Sequence, residues 1–186
     1  MNGKGIKTSL IAAILAVGLA QAGGAFAAER ITGTLAVPPG TPGRATTLPV
    51  SIYIYDYSTA EEVTRLNEIL TTKGREALRE ELWDLEKGWL RIGDSLGYPI
   101  AVARSETTDG KRHIVLLADR PIQFLESWNN SRSLDYPFSF VDVQINQDGT
   151  GEGQLIPAAK VRLLSNTIAV ESYAFQPARL LGVRVR

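Results

Sequence analysis

Apolar and polar positions alternate along one early segment of the chain. The alternating residues are Leu48, Val50, Ile52 and Ile54 on one side and Ser51, Tyr53, Tyr55 and Tyr57 on the other. A period of two predicts a β-strand, and bulky side chains on both faces require cover on both sides. Residues 30–37 predict a shorter strand before it. The Pro- and Gly-rich residues 38–47 predict the loop between the two strands.

A helix is predicted directly after this strand. Ser58 with Glu61, or Thr59 with Glu62, has the spacing of a capping box, in which a hydroxyl accepts an N–H three residues on and the carboxylate returns a bond. Apolar residues then recur at helical spacing. Gly74 ends or interrupts the helix.

A second helix is predicted over residues 75–87, where Leu78, Leu82 and Leu85 form an apolar stripe. The two helices predict a helical hairpin. We expect this hairpin to cover the tyrosine face of the strand at residues 48–57, because its stripes are the nearest apolar surface along the chain.

The rest of the chain predicts strands joined by turns. The strand segments are residues 98–107, 111–119, 138–146, 154–164, 167–174 and 180–186. Asp109-Gly110 and Asp148-Gly149 have the composition of hairpin turns, whose central residues need positive φ. A two-residue turn at Asp109-Gly110 places Glu106 opposite His113.

These patterns predict an α+β fold. We expect one globular domain over residues 28–186, built on an antiparallel sheet of about seven or eight strands that curls into a sandwich or an open barrel. The helical hairpin is inserted after the second strand.

The first 27 residues have the pattern of a signal peptide. Lys4 and Lys7 precede an apolar run at residues 10–20, and Ala25-Phe26-Ala27 offers the small residues that a signal peptidase reads. We expect cleavage after Ala27 and a periplasmic or secreted protein. No stretch approaches the roughly 20 apolar residues that cross a bilayer, so no membrane span is expected.

Composition excludes several chemistries. The 20 basic residues balance 20 acidic ones, which disfavours a dedicated nucleic-acid binder. The absence of Cys excludes thiol catalysis, thiolate metal sites and a lipid anchor on a cysteine. With His113 the only imidazole, multi-histidine metal sites are excluded as well, and no cofactor is predicted.

Two groups of aromatic and polar residues are candidate binding sites. Trp128, Asn129, Asn130 and Arg132 form a polar segment with one large aromatic ring, a composition suited to contacting a partner or a glycan. Tyr53, Tyr55 and Tyr57 are a weaker candidate, a ligand-stacking face that competes with burial beneath the helical hairpin.

Several short segments in roughly the last half of the chain resemble a group of small secreted bacterial proteins with no assigned activity. These segments are Tyr98-Pro99-Ile100-Ala101, Arg120-Pro121-Ile122, Asp135-Tyr136-Pro137-Phe138, Gly151-Glu152-Gly153, Gln176-Pro177 and Arg179-Leu180. The resemblance implies a bacterial envelope or secreted protein. It implies no functional residue.

The leading hypothesis is a non-enzymatic binding or envelope-interaction protein whose partner is an envelope or extracellular protein, a glycan or a small ligand. One alternative is a hydrolase that assembles Asp, Glu, Ser and His113 in space, although no Gly-x-Ser-x-Gly elbow is present. Another is a carrier with an apolar barrel interior. A deep polar pocket favours the enzyme, a deep apolar pocket the carrier, and a filled core the interaction protein.

Overall fold

The computed structural model describes residues 10–13, 28–37, 46–122, 138–164, 167–172 and 177–186. Its two helices are α1 (Ala60–Lys73) and α2 (Arg75–Trp83). Its strands are β1 (Leu10–Ala13), β2 (Glu29–Val37), β3 (Thr46–Ile54), β4 (Gly88–Ile92), β5 (Tyr98–Ile100), β6 (Val102–Thr108), β7 (Lys111–Ala118), β8 (Phe138–Ile145), β9 (Thr150–Leu164), β10 (Thr167–Ser172) and β11 (Ala178–Val185).

Nine of the strands form a nearly closed antiparallel barrel, in the order β5-β4-β3-β2-β11-β9-β8-β7-β6. Only Ala101 separates β5 from β6. The amide of Lys87 donates to the carbonyl of Ile100 at 2.7 Å, and the amide of Ala101 donates to that of Leu117 at 2.9 Å. The segment formed by β5 and β6 therefore pairs first with β4 and then with β7, which brings the two ends of the sheet together.

Side chains fill the inside of the barrel. Alternate residues of each strand point inward, as the period-two pattern of β3 predicts, so Val50, Ile52 and Ile54 are buried. They pack in one cluster with residues of the other strands, including Ile31, Leu35, Leu90, Ile114, Leu116, Val143, Leu155 and Leu180. The barrel wall thus surrounds a packed apolar core.

The sequence predicted the turns of the sheet well. Asp109 and Gly110 both have positive φ, 53° and 72°, and Glu106 pairs with His113 as predicted. The antiparallel sheet with two helices is confirmed, although it has more strands than expected. Two of them, β1 and β10, pair with each other outside the barrel order, and β10 also pairs antiparallel with β9.

Both helices begin at the residues that the sequence predicted. Thr59 and Glu62 form the capping box, with the Glu62 amide donating to the Thr59 hydroxyl at 3.1 Å and the Thr59 amide to the Glu62 carboxylate at 2.8 Å. Gly74, at φ 87°, joins α1 to α2. No helix in the described part of the chain is long and apolar enough to cross a membrane.

The predicted position of the helical hairpin is wrong. Its leucines, among them Leu78 and Leu82, pack with Phe140, Ile156 and Val115 on the outer face of β6 to β9. That face carries more apolar side chains than the outer face of β3. The Ser58 amide also donates to the Ala103 carbonyl at 2.7 Å, which ties the start of α1 to β6.

Candidate functional site

The two groups of predicted site residues have different outcomes. Trp128, Asn129, Asn130 and Arg132 lie outside the described residues. Tyr53, Tyr55 and Tyr57 are described and do not share one environment.

The three tyrosines separate because β3 ends at Ile54. Tyr53 is half-buried on the outer face, with the Arg30 guanidinium 5.3 Å from its ring centroid. Tyr55 is 50% exposed. Tyr57 belongs to the interior cluster, and its hydroxyl donates to a Glu29 carboxylate oxygen at 2.6 Å. The outer face of β3 therefore carries Tyr53, with the exposed Tyr55 directly after the strand, and Tyr57 is not part of it.

An open groove lies beside this face, between the end of α2 and the outer side of β4 and β5. Its cavity volume is about 400 Å³. Its lining includes Trp83, Asp84, Glu86, Trp89, Leu96, Pro99 and Arg120. We call it the tryptophan groove. Trp83 is 64% exposed and Leu96 is fully exposed, so two of the large exposed apolar side chains of the described residues meet here.

The indole ring of Trp89 is held in place by its neighbours. On the barrel wall Trp89 pairs with Tyr53 of β3 and with Pro99 of β5. Its Nε1 donates to the Glu86 carboxylate at 2.8 Å. Gly97, at φ 101°, passes so close that a Cβ there would lie 3.0 Å from Cε3 of the ring. One wall of the groove is therefore preorganised.

Arg120 forms the other end of the groove together with Trp83. Its guanidinium lies 4.6 Å from the centroid of the Trp83 ring, a cation–π distance. The same guanidinium donates two hydrogen bonds of 2.9 Å to the buried carboxylate of Asp119. This pairing with Asp119 holds the pKa of Arg120 above its usual range, so the group stays charged and fixed.

Sequence reasoning missed this groove because it extended the second helix to Lys87 and predicted no strand at Trp89. The helix ends at Trp83, and Trp89 lies on β4. One signal was available. Trp83 follows Leu82 of the apolar stripe by a single residue, so it points about 100° away from that stripe and out of the core.

His113 lies on the outer face of β7 in a polar cluster. Its Nε2 is 2.5 Å from an oxygen of Asp142, and Gln154 donates to the other Asp142 oxygen at 3.4 Å. Arg104, on the neighbouring strand β6, donates to the carbonyl of Ser58 at 3.0 Å. A histidine beside a carboxylate is two thirds of a hydrolase triad.

The two serine hydroxyls on and next to β6 form hydrogen bonds with groups other than His113. Ser58 accepts from the Ala103 amide at 3.2 Å, and Ser105 accepts from Arg112 Nε at 2.8 Å. Ser105 also faces the interior, opposite to His113. The described residues thus give the His113–Asp142 pair no serine nucleophile, and the cluster is more simply part of the polar barrel surface.

The turn at Asp148-Gly149 is a structural hairpin connection. The Asp148 carboxylate accepts from the amide of Thr150 at 3.0 Å and from its hydroxyl at 2.6 Å. The hydrogen bonds from the Thr150 hydroxyl and amide hold the pKa of Asp148 below its usual range. Within the described residues, no three His, Asp or Glu side chains are grouped so as to hold a metal ion.

Comparison of the chain with protein-family models, with curated proteins and with solved structures found no match.

Proposed function

We propose that this chain is an exported, non-enzymatic binding protein whose partner docks on the outside of the barrel, at the tryptophan groove. The observation that carries the proposal is the exposure of Trp83, 64% of whose surface is open beside a second, fixed tryptophan. Tryptophan and arginine are the residues that most often dominate binding energy at interfaces. A surface of this kind costs free energy in water unless something covers it.

The packed interior supports an external site. The residues that line the inside of the barrel, such as Leu35, Ile114 and Leu155, have no more than about one hundredth of their surface exposed. A carrier of the lipocalin type holds its ligand in that space. Here side chains occupy it, so a binding partner is better placed on the outer face.

Photo-crosslinking in the native cell envelope tests this function. A benzoylphenylalanine in place of Leu96 sits in the groove, and the same residue in place of Thr107, exposed at the far end of β6, is the matched control. We expect a discrete crosslinked product from position 96 and not from position 107. The product should disappear when Trp83→Ala is added.

Two results would contradict the proposal. One is the same product from both positions, which indicates non-specific contact. The other is a position-96 product that persists in full with Trp83→Ala, which shows that the exposed indole contributes nothing to docking.

A further inference from the structure

We propose that the tryptophan groove binds a lysine or arginine side chain presented by a partner protein, an inference that rests on the proposed binding function. The groove brings together two indole rings, two carboxylates that pair with no cation of the described residues, and an apolar rim.

The groove carries excess negative charge. Asp84 and Glu86 contribute two carboxylates, and no described residue forms an ion pair with either of them. Glu86 accepts a hydrogen bond from Trp89, which leaves its charge unneutralised. Among the described lining residues the cation is Arg120, and its guanidinium is already paired through two hydrogen bonds with the buried Asp119. The charge left for a ligand to complement is therefore negative, which favours a cation.

The aromatic rings favour the same ligand. The face of an indole attracts a cation more strongly than the other aromatic side chains do. The Trp83 ring already makes one cation–π contact within the protein, since the Arg120 guanidinium lies 4.6 Å from its centroid. Trp83 remains 64% exposed with Arg120 in place, so ring surface is still open for a second cation.

The size and the rim of the groove favour a polypeptide as the source of the cation. A volume of about 400 Å³ exceeds that of one lysine or arginine side chain and lies in the range of ligand pockets. The remaining wall is apolar, with Leu96 fully exposed and Pro99 next to Trp89. This wall suits an apolar residue next to the basic one, as found along a protein segment.

The test is a titration of the purified protein with two blocked dipeptides that differ only in charge. The probes are acetyl-Leu-Arg-amide and acetyl-Leu-citrulline-amide, and the observable is the NMR signal of the indole N–H groups of Trp83 and Trp89. We expect both signals to shift with the arginine peptide, because only its guanidinium can make a cation–π contact and pair with the carboxylates. The citrulline peptide should bind about tenfold more weakly, a difference of about 1.4 kcal/mol.

A pair of variants assigns the effect to the two carboxylates. Asp84→Asn with Glu86→Gln keeps the shape of the groove and an acceptor for Trp89, and should weaken the arginine peptide about five- to tenfold. Glu68→Gln with Glu152→Gln removes the same charge from exposed positions of α1 and β9 outside the groove and should change the affinity less than about twofold.

The outcomes separate this inference from the proposed function. Equal binding of the two peptides, or of a neutral disaccharide, overturns the basic-side-chain ligand and leaves the groove as a binding site for a neutral one. Absence of indole shifts at about 10 mM arginine peptide also overturns the basic-side-chain ligand. The cation–π contact and the two carboxylates together should give a Kd in the millimolar range or below. Loss of the position-96 crosslink with Asp84→Asn and Glu86→Gln, but not with the Glu68 and Glu152 control, extends the inference to the native partner.

Discussion

At the scale of single residues, four polar side chains of the described part of the chain form one hydrogen-bonded cluster at one end of the barrel. Arg112 binds Glu29 through two hydrogen bonds of 2.6 Å and donates to the Tyr57 hydroxyl at 2.6 Å and the Ser105 hydroxyl at 2.8 Å. Burial by itself raises the pKa of Glu29, but the hydrogen bonds from Arg112 and Tyr57 outweigh it, and the pKa lies below its ordinary value. Burial and the neighbouring Glu29 raise the pKa of Tyr57. The cluster joins β2, β6 and β7 to the segment after β3.

Glu29→Gln should lower the free energy of unfolding at neutral pH by about 1–3 kcal/mol, because it removes charge-assisted bonds from a carboxylate that is 11% exposed. The folded pKa of Glu29 is depressed, so its stabilising effect is complete above its ordinary value of 4.5 and fades as the pH falls through the folded pKa. The difference between wild type and variant should therefore shrink at low pH. Urea unfolding at neutral and acidic pH measures this.

The exposed Glu80→Gln serves as the control and should change little at either pH. A Glu29→Gln deficit that stays constant down to the lowest pH would show that the ionised carboxylate is not its cause.

At the scale of elements, the helical hairpin forms a second layer on one side of the barrel. Leu82 is fully buried between α2 and the apolar outer face of β6 to β9. Tyr53 and Trp89 lie on the outer face of β3 and β4, and neither belongs to the cluster that the helices form with β6 to β9. The position of the hairpin therefore decides which side of the barrel is left for the tryptophan groove.

Leu82→Ala should lower the free energy of unfolding by about 2–5 kcal/mol, the cost of a cavity at a buried leucine. A double-mutant cycle locates the layer. Leu82→Ala and Val115→Ala should couple by more than about 0.5 kcal/mol, because both residues belong to the same cluster. Leu82→Ala and Tyr53→Ala should be additive within about 0.5 kcal/mol. Coupling to Tyr53 instead would place the hairpin over β3.

At the scale of the whole molecule, the first strand pairs outside the barrel. Within the described residues β1 pairs only with β10, and neither belongs to the barrel order. The barrel begins at Glu29, and its last strand returns to the first, with Arg30 and Arg186 exchanging backbone bonds of 3.2 and 2.8 Å. A chain that begins at residue 28 therefore keeps every strand of the barrel.

Deletion of residues 1–27 should therefore leave the unfolding temperature within about 2 °C, since a loss of 1 kcal/mol lowers it by about 2–4 °C in a domain of this size. The exported protein should itself begin at Ala28, which intact-mass measurement tests. Recovery of an unprocessed chain would exclude the signal peptide, and a fall in unfolding temperature of more than about 4 °C would show that β1 supports the barrel.

Local sequence determined the elements of this protein. The alternation in β3, the capping box at Thr59 and the turn at Asp109-Gly110 each depend on residues within a few positions of one another, and each was predicted. The antiparallel sheet with two helices follows from those elements. The signal peptide, the binding function and the resemblance to small secreted bacterial proteins stay predictions.

Tertiary structure alone decided which faces the elements cover and which residues meet. The hairpin could pack on either outer face of the barrel, and the choice depends on the summed apolar area of strands far along the chain, among them β8 and β9. The groove likewise joins Trp83 on a helix, Trp89 on a strand and Arg120 beyond β7. A local sequence pattern cannot predict contacts between such distant elements. These contacts depend on how the sheet closes, and closure is a property of the whole barrel.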